Sequence, residues 1–141
     1  MVLSLLHIEN IAVIECADIS FDNGFNVLTG ETGAGKSIVI DAISAILGER
    51  AYRDMIRTGA NKASVRAVFS DVPQLDWFAE NDVDYDSETI IQREVFLDGK
   101  NICRVNGTLV TVSILRKLGI QLINIHGQHD NQALLVPENH L

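Results

Sequence analysis

One eight-residue stretch, Gly30-Glu31-Thr32-Gly33-Ala34-Gly35-Lys36-Ser37, constrains the fold more than any other part of the chain. The run before it, Phe25-Asn26-Val27-Leu28-Thr29, is short and apolar and reads as a buried strand that stops at Gly30. After it, Lys36–Leu47 is apolar at Ile38, Val39, Ile40, Ala42, Ile43, Ile46 and Leu47. That wide stripe predicts a helix buried on most of its surface, and Gly48 is a natural stop. Strand, glycine loop and helix in this order give G-x-x-x-x-G-K-[ST] the context it needs to bind phosphate. The glycines let the backbone curl so that successive N–H groups point inward at phosphate oxygens. The helix adds its positive N-terminal end. Lys36 is placed to reach the β- and γ-phosphates, and the Ser37 hydroxyl to ligate magnesium. The expected ligand is a nucleoside triphosphate with Mg2+; a small-molecule kinase or a GTPase would share this loop. Gly30, Glu31, Thr32, Gly33, Ala34, Gly35, Lys36 and Ser37 form the ligand's cradle. A chance match to the pattern in a chain of 141 residues is on the order of half a percent.

The remaining segments predict a strand-rich chain of one domain. Leu3–Glu9 and Ile11–Phe21 read as strands and Asp22-Asn23-Gly24 as a turn, which together predict a hairpin. Lys62–Ser70 alternates, with Val65, Ala67 and Phe69 on one face. A short helix is expected after Asp71-Val72-Pro73, with Trp77 and Phe78 as core residues. Thr89–Leu97 and Asn101–Val105 read as strands around the hairpin turn Asp98-Gly99, and Asn106-Gly107 marks a second turn. Thr111–Leu118 reads as a helix opened by Thr111 or Ser113 and closed by Gly119. Ile120–Ile125 reads as a further buried strand running into a polar loop, His126-Gly127-Gln128-His129-Asp130-Asn131-Gln132. Asn81–Asp86 is an acidic surface stretch. Asp41 reads as structural or salt-bridged.

Charge and composition narrow the function. The net charge of −8 argues against strong nucleic-acid binding by this segment alone, because phosphate neutralisation needs clustered Lys and Arg. Arg50, Arg53 and Arg57 are the one mild basic concentration, and would share a face if their stretch were helical. No apolar run is long enough for a membrane span, and the N-terminus lacks the pattern of a signal peptide, so the expectation is a cytoplasmic protein. Cys16 and Cys103 read as two buried, reduced thiols. His126 and His129 lack the third ligand that zinc wants. The polar stretch from Pro137 has no closing element, which suggests a fragment of a longer chain.

Four stretches together carry a family resemblance. They are Gly30–Ile38 with Asp41-Ala42, then Met55-Ile56-Arg57-Thr58-Gly59-Ala60, then Arg104-Val105-Asn106-Gly107, and finally Ile125-His126-Gly127-Gln128-His129. The chain resembles the N-terminal half of an ABC-type ATPase head of the SMC family, over essentially all of residues 1–141. The resemblance implies an α/β P-loop NTPase fold with an antiparallel β subdomain. It implies that two heads sandwich two ATP molecules, each site joining the phosphate loop of one head to a signature motif of the other. It places Gln128 in the Q-loop, a second residue beside Lys36 with a catalytic part, near magnesium and the γ-phosphate. It further implies a coiled coil, a C-terminal half of the same head as partner, homodimeric head engagement, DNA as a partner of the complete protein, nucleoid association, and work in repair of DNA double-strand breaks. The sequence departs from the whole-head pattern in having no Leu-Ser-Gly-Gly signature and no apolar strand ending in Asp-Glu, so slow hydrolysis is expected from this chain by itself. An SMC-like nucleotide-gated DNA-tethering module and, third, a small P-loop kinase are the alternative readings.

Overall fold

A computed structural model describes residues 1–21, 33–51 and 53–128, with the backbone alone at 33–36 and 126–128. Its centre is a six-stranded sheet, antiparallel throughout, built from β1 (Val2–Ile11), β2 (Ile14–Ser20), β3 (Lys62–Ser70), β4 (Thr89–Phe96), β5 (Asn101–Val105) and β6 (Thr108–Val110), in spatial order β2-β1-β3-β4-β5-β6. Among the described residues three α-helices accompany it: α1 (Gly33–Ile46), the short α2 (Asp76–Glu80) and α3 (Val112–Gln128). Helix α1 packs on β3 and β4, and α3 on β5.

Period-two alternation decides which face of the sheet is covered. Leu6 and Ile8 of β1, Ala63, Val65, Ala67 and Phe69 of β3, Ile91 and Val95 of β4, and Cys103 and Val105 of β5 are all buried in one core. Ile38, Val39, Ala42, Ile43 and Ile46 of α1 and Leu115, Leu118 and Leu122 of α3 belong to the same core. Trp77 and Phe78 are core residues as expected. Their rings meet edge to face at 5.2 Å, and the Trp77 indole N–H donates to the Ile114 carbonyl at 3.0 Å. The Asn106-Gly107 turn is present with both residues at positive φ (50° and 86°), the geometry of a type I′ hairpin.

Several expectations are corrected. The hairpin of β1 and β2 turns at Ala12-Val13, not at Asp22–Gly24, with Asn10 and Ala12 at φ 58° and 51°. The turn at Asp22–Gly24 and the strand Phe25–Thr29 lie outside the described residues. Cys16 is exposed; only Cys103 is buried. Arg50, Arg53 and Arg57 do not share a helical face, because Arg53–Met55 is a single 3-10 turn. The stretch is instead pinned to the β1–β2 turn by Ala12 N–H to Met55 O and Arg57 N–H to Asn10 O, both 2.8 Å.

The largest correction is α3. The helix starts as expected, with Thr111 Oγ1 accepting from Ile114 N–H at 3.1 Å, an N-cap. It does not stop at Gly119, and Ile120–Ile125 is helical rather than a strand. Leu115, Leu118 and Leu122 are buried while Ile120 and Ile123 are exposed, which is a helical period. Gly119 is there for contact rather than termination. A Cβ on it would lie 2.1 Å from the Leu47 carbonyl oxygen, and one on Gly48 would lie 2.4 Å from Arg116 Cα. Two glycines thus let the end of α1 and the middle of α3 touch backbone to backbone.

Replacing Gly119 with Ala tests this. On an isolated helix the change would stabilise by about 1 kcal/mol. Here it should destabilise by about 1–3 kcal/mol through overpacking, read as a lower urea midpoint. A gain in stability would show that the approach of the helices relaxes freely.

Candidate nucleotide site and its anchor

Helix α1 begins inside the glycine motif, at Gly33. Ser37 stands exposed in its first turns while Ile38 and Val39 are already buried. The helix thus passes from solvent into the core within one residue. Its first turn contains no acidic residue, which suits the positive end of a helix to an anion. Gly30, Glu31 and Thr32, and the side chain of Lys36, lie outside the described residues.

The opposite end of α1 shows how the helix is held. It closes in a Schellman arrangement: Gly48 sits at φ 84°, Glu49 N–H donates to Ser44 O at 3.0 Å, and Gly48 N–H to Ala45 O at 3.1 Å. No basic residue lies in its last turn. The cation comes from the sheet. Arg93 of β4 is only 2% exposed, and its Nη1 donates to the carbonyls of Ala45 (2.9 Å) and Glu49 (2.5 Å), while Nε donates to Asn101 Oδ1 (3.0 Å). A guanidinium on the negative end of a helix is favourable, more so where water is excluded. The donors on Nη1 and Nε are met by two carbonyl oxygens and one amide oxygen. Burial pushes the Arg93 pKa down from its ordinary value and the Cys103 thiol up. Glu49 also pairs with Arg116 of α3 at 2.5 Å, beside the Gly48–Gly119 crossing. One junction therefore ties α1 to β4 and to α3.

Sequence reasoning missed Arg93, although it left a signal. In β4 the inward positions are Thr89, Ile91, Arg93 and Val95, and a charge in an apolar register needs a partner.

Gln128 is the last residue of α3, nine positions past Gly119 and so about 13 Å further along the helix. It is not delivered by a strand end. Its side chain and those of His126 and His129 lie outside the described residues. Asp41 is exposed on α1, lining an open cleft with Ser44, Glu49 and Asp54. Arg53 reaches the Leu97 carbonyl at 3.4 Å.

A P-loop helix laid across an antiparallel sheet defines an ATPase-type α/β domain, and the comparisons agree. The family model described as "AAA domain" matches residues 5–136, and the chain belongs to that family. The DNA repair protein RecN of Bacillus subtilis (strain 168) is 49% identical over 99% of this chain. The chain spans 25% of that relative's length. A solved structure from work on ATP-driven dimerization and DNA-stimulated activation of SMC ATPases superposes with a TM-score of 0.68 at 25% identity, covering 83% of this chain and 76% of the other. The Smc head domain with a coiled coil and joint from Pyrococcus yayanosii gives 0.66 at 26% identity, over 83% of this chain and 25% of the other. The fold is therefore that of an SMC-type P-loop ATPase head.

Removing the anchor should be costly. Arg93→Met keeps much of the volume but leaves the Glu49 carbonyl without its donor. A loss of about 1–3 kcal/mol is expected in urea unfolding. Arg93→Lys should recover less than half, because one ammonium cannot span Asn101 and both carbonyls. Parental stability in Arg93→Met would mean that desolvating the guanidinium cancels what its hydrogen bonds contribute.

Proposed function

We propose that this chain is the N-terminal, ATP-binding lobe of an SMC-type head that, in the complete protein, binds and hydrolyses ATP to drive head engagement in recombinational repair of DNA double-strand breaks. The observation that carries the reading is the start of α1. A 14-residue helix begins within the glycine motif with no acid in its first turn and with Ser37 exposed. That donor set suits a polyphosphate with a hard cation. Backbone N–H groups of Gly30–Ser37 would face the phosphates, Lys36 would meet the β- and γ-oxygens, and the Ser37 hydroxyl would ligate Mg2+. Bound magnesium neutralises charge on those oxygens. Gln128 would orient water or touch the metal once the head closes, a role resting on the family resemblance.

The likeness to RecN supports the repair role, and the SMC heads support ATP-dependent pairing of heads. On this reading the partners are the C-terminal half of the same head, a second identical head, and DNA in the complete protein. The chain's own net charge of −8 makes its direct grip on DNA weak. No helix among the described residues is long and apolar enough to cross a membrane, and the work on chromosomal DNA would place the protein in the cytoplasm at the nucleoid. The Smc head likeness keeps nucleotide-gated DNA tethering as the second reading.

Calorimetry with ATP–Mg2+ tests the binding step. Lys36→Ala should weaken affinity at least tenfold, about 1.4 kcal/mol, with the fold intact. Gln128→Ala, which removes no charge, should cost less binding. The chain alone should hydrolyse ATP slowly, and the C-terminal half added in trans should raise the rate. Equal affinity in Lys36→Ala and parent would sink the phosphate-loop assignment.

A further inference from the structure

We propose that His7, Glu9 and Cys16 form a binding site for a divalent transition metal, with zinc(II) the best match, and that Asp18 is its positioning residue. Two strands put these groups together. In β1, His7 and Glu9 lie two apart and share a face; in β2, Cys16 and Asp18 do the same. The antiparallel register sets His7 opposite Asp18 and Glu9 opposite Cys16. The four side chains make a square on the face of the sheet turned away from the core, since the intervening Leu6 and Ile8 are buried in it.

The geometry is close to that of a ligand set. His7 Nε2 lies 2.8 Å from Glu9 Oε2, and His7 Nδ1 lies 2.5 Å from Asp18 Oδ1. The ligand atoms of His7, Glu9 and Cys16 all fall within 4.8 Å of one another. Imidazole nitrogen, thiolate sulfur and carboxylate oxygen are the three donors zinc takes, and three protein ligands leave a fourth position for water. Asp18 on Nδ1 is the usual second partner of a metal-bound histidine, fixing the ring so that Nε2 faces the ion. Without metal, the ring lies between two carboxylates, and its pKa is raised by the hydrogen bonds it donates to Glu9 first and Asp18 second. A metal would occupy the place of the proton between Nε2 and Glu9. Nε2 and the Cys16 thiol would each release a proton to water as the bonds to metal form.

Metal–ligand bonds of about 2.0–2.3 Å require the Nε2–Oε2 gap to open slightly and Cys16 to swing inward. Cys16 is exposed and Glu9 nearly half exposed, so both can move by side-chain rotation. The opposing charge is Arg66, which pairs with His7 from β3 but is itself exposed. An ion here would clip the edge strand β2, which leads into the phosphate motif, onto β1.

The test is a titration of the reduced, chelator-treated 141-residue chain with Co2+ and then Zn2+. Cobalt should give a thiolate charge-transfer band that zinc removes. Cys103 is 1% exposed, so that band reports Cys16. Cys16→Ser, a change at an exposed position, should abolish the band and weaken zinc binding at least tenfold, and His7→Gln should do the same. Asp18→Asn should keep the band and weaken binding about ten- to a hundredfold. A variant lacking His126 and His129 should bind like the parent. No thiolate band in the parent, or zinc binding untouched by Cys16→Ser, overturns the proposal.

Discussion

The buried guanidinium of Arg93 is the interaction on which the arrangement depends. A phosphate-binding helix works by presenting a positive end, and the same backbone dipoles make its other end negative. In this chain that negative end closes at the buried Gly48, beside the core. No residue of the last turn of α1 supplies a cation, so β4 supplies one at an inward position. The hydrogen bonds to Ala45 and Glu49 fix the helix axially as well as electrostatically. The Gly48–Gly119 crossing and the Glu49–Arg116 pair then set α3 against the same point.

The sheet was legible in the sequence because alternation is a strong signal where one face is buried. Lys62–Ser70 and Asn101–Val105 were read to the residue, and Thr89–Phe96 to within one residue at its end. Their turns were marked by Asp98-Gly99 and Asn106-Gly107, in which Gly99, Asn106 and Gly107 take positive φ. Helix α3 was misread for two physical reasons. Gly119 resembles a terminator, but its missing side chain serves the contact with Leu47. Ile120, Ile123 and Ile125 resemble a strand, but β-branched residues are tolerated in a helix when leucines at Leu115, Leu118 and Leu122 bury its other face. Tertiary packing outweighed local preference in both cases.

The site was legible in part. The motif from Gly30 to Ser37 announces itself because close backbone approach to phosphate leaves few residue choices. What holds the motif in place does not, since Arg93 is more than fifty residues away in sequence and acts through carbonyl groups that carry no residue identity. The His7 group was also silent. Its members become neighbours only once the β1–β2 register is known, and that register depends on a turn at Ala12-Val13 which contains neither Gly nor Pro.

The strand order has a consequence for how the molecule assembles. Strands β1 and β3 are direct neighbours, yet the glycine motif and all of α1 lie between them in sequence. Pairing them closes a loop of about fifty residues, with an entropic cost that grows only slowly with loop length. Such long-range pairing is slow to find and is cooperative once found. Helix α1 packs on β3 and β4, so its resting place is complete only once those two strands have paired. The docking of α1 therefore follows the pairing of β3 with β4, and reports on that pair before β1 joins it.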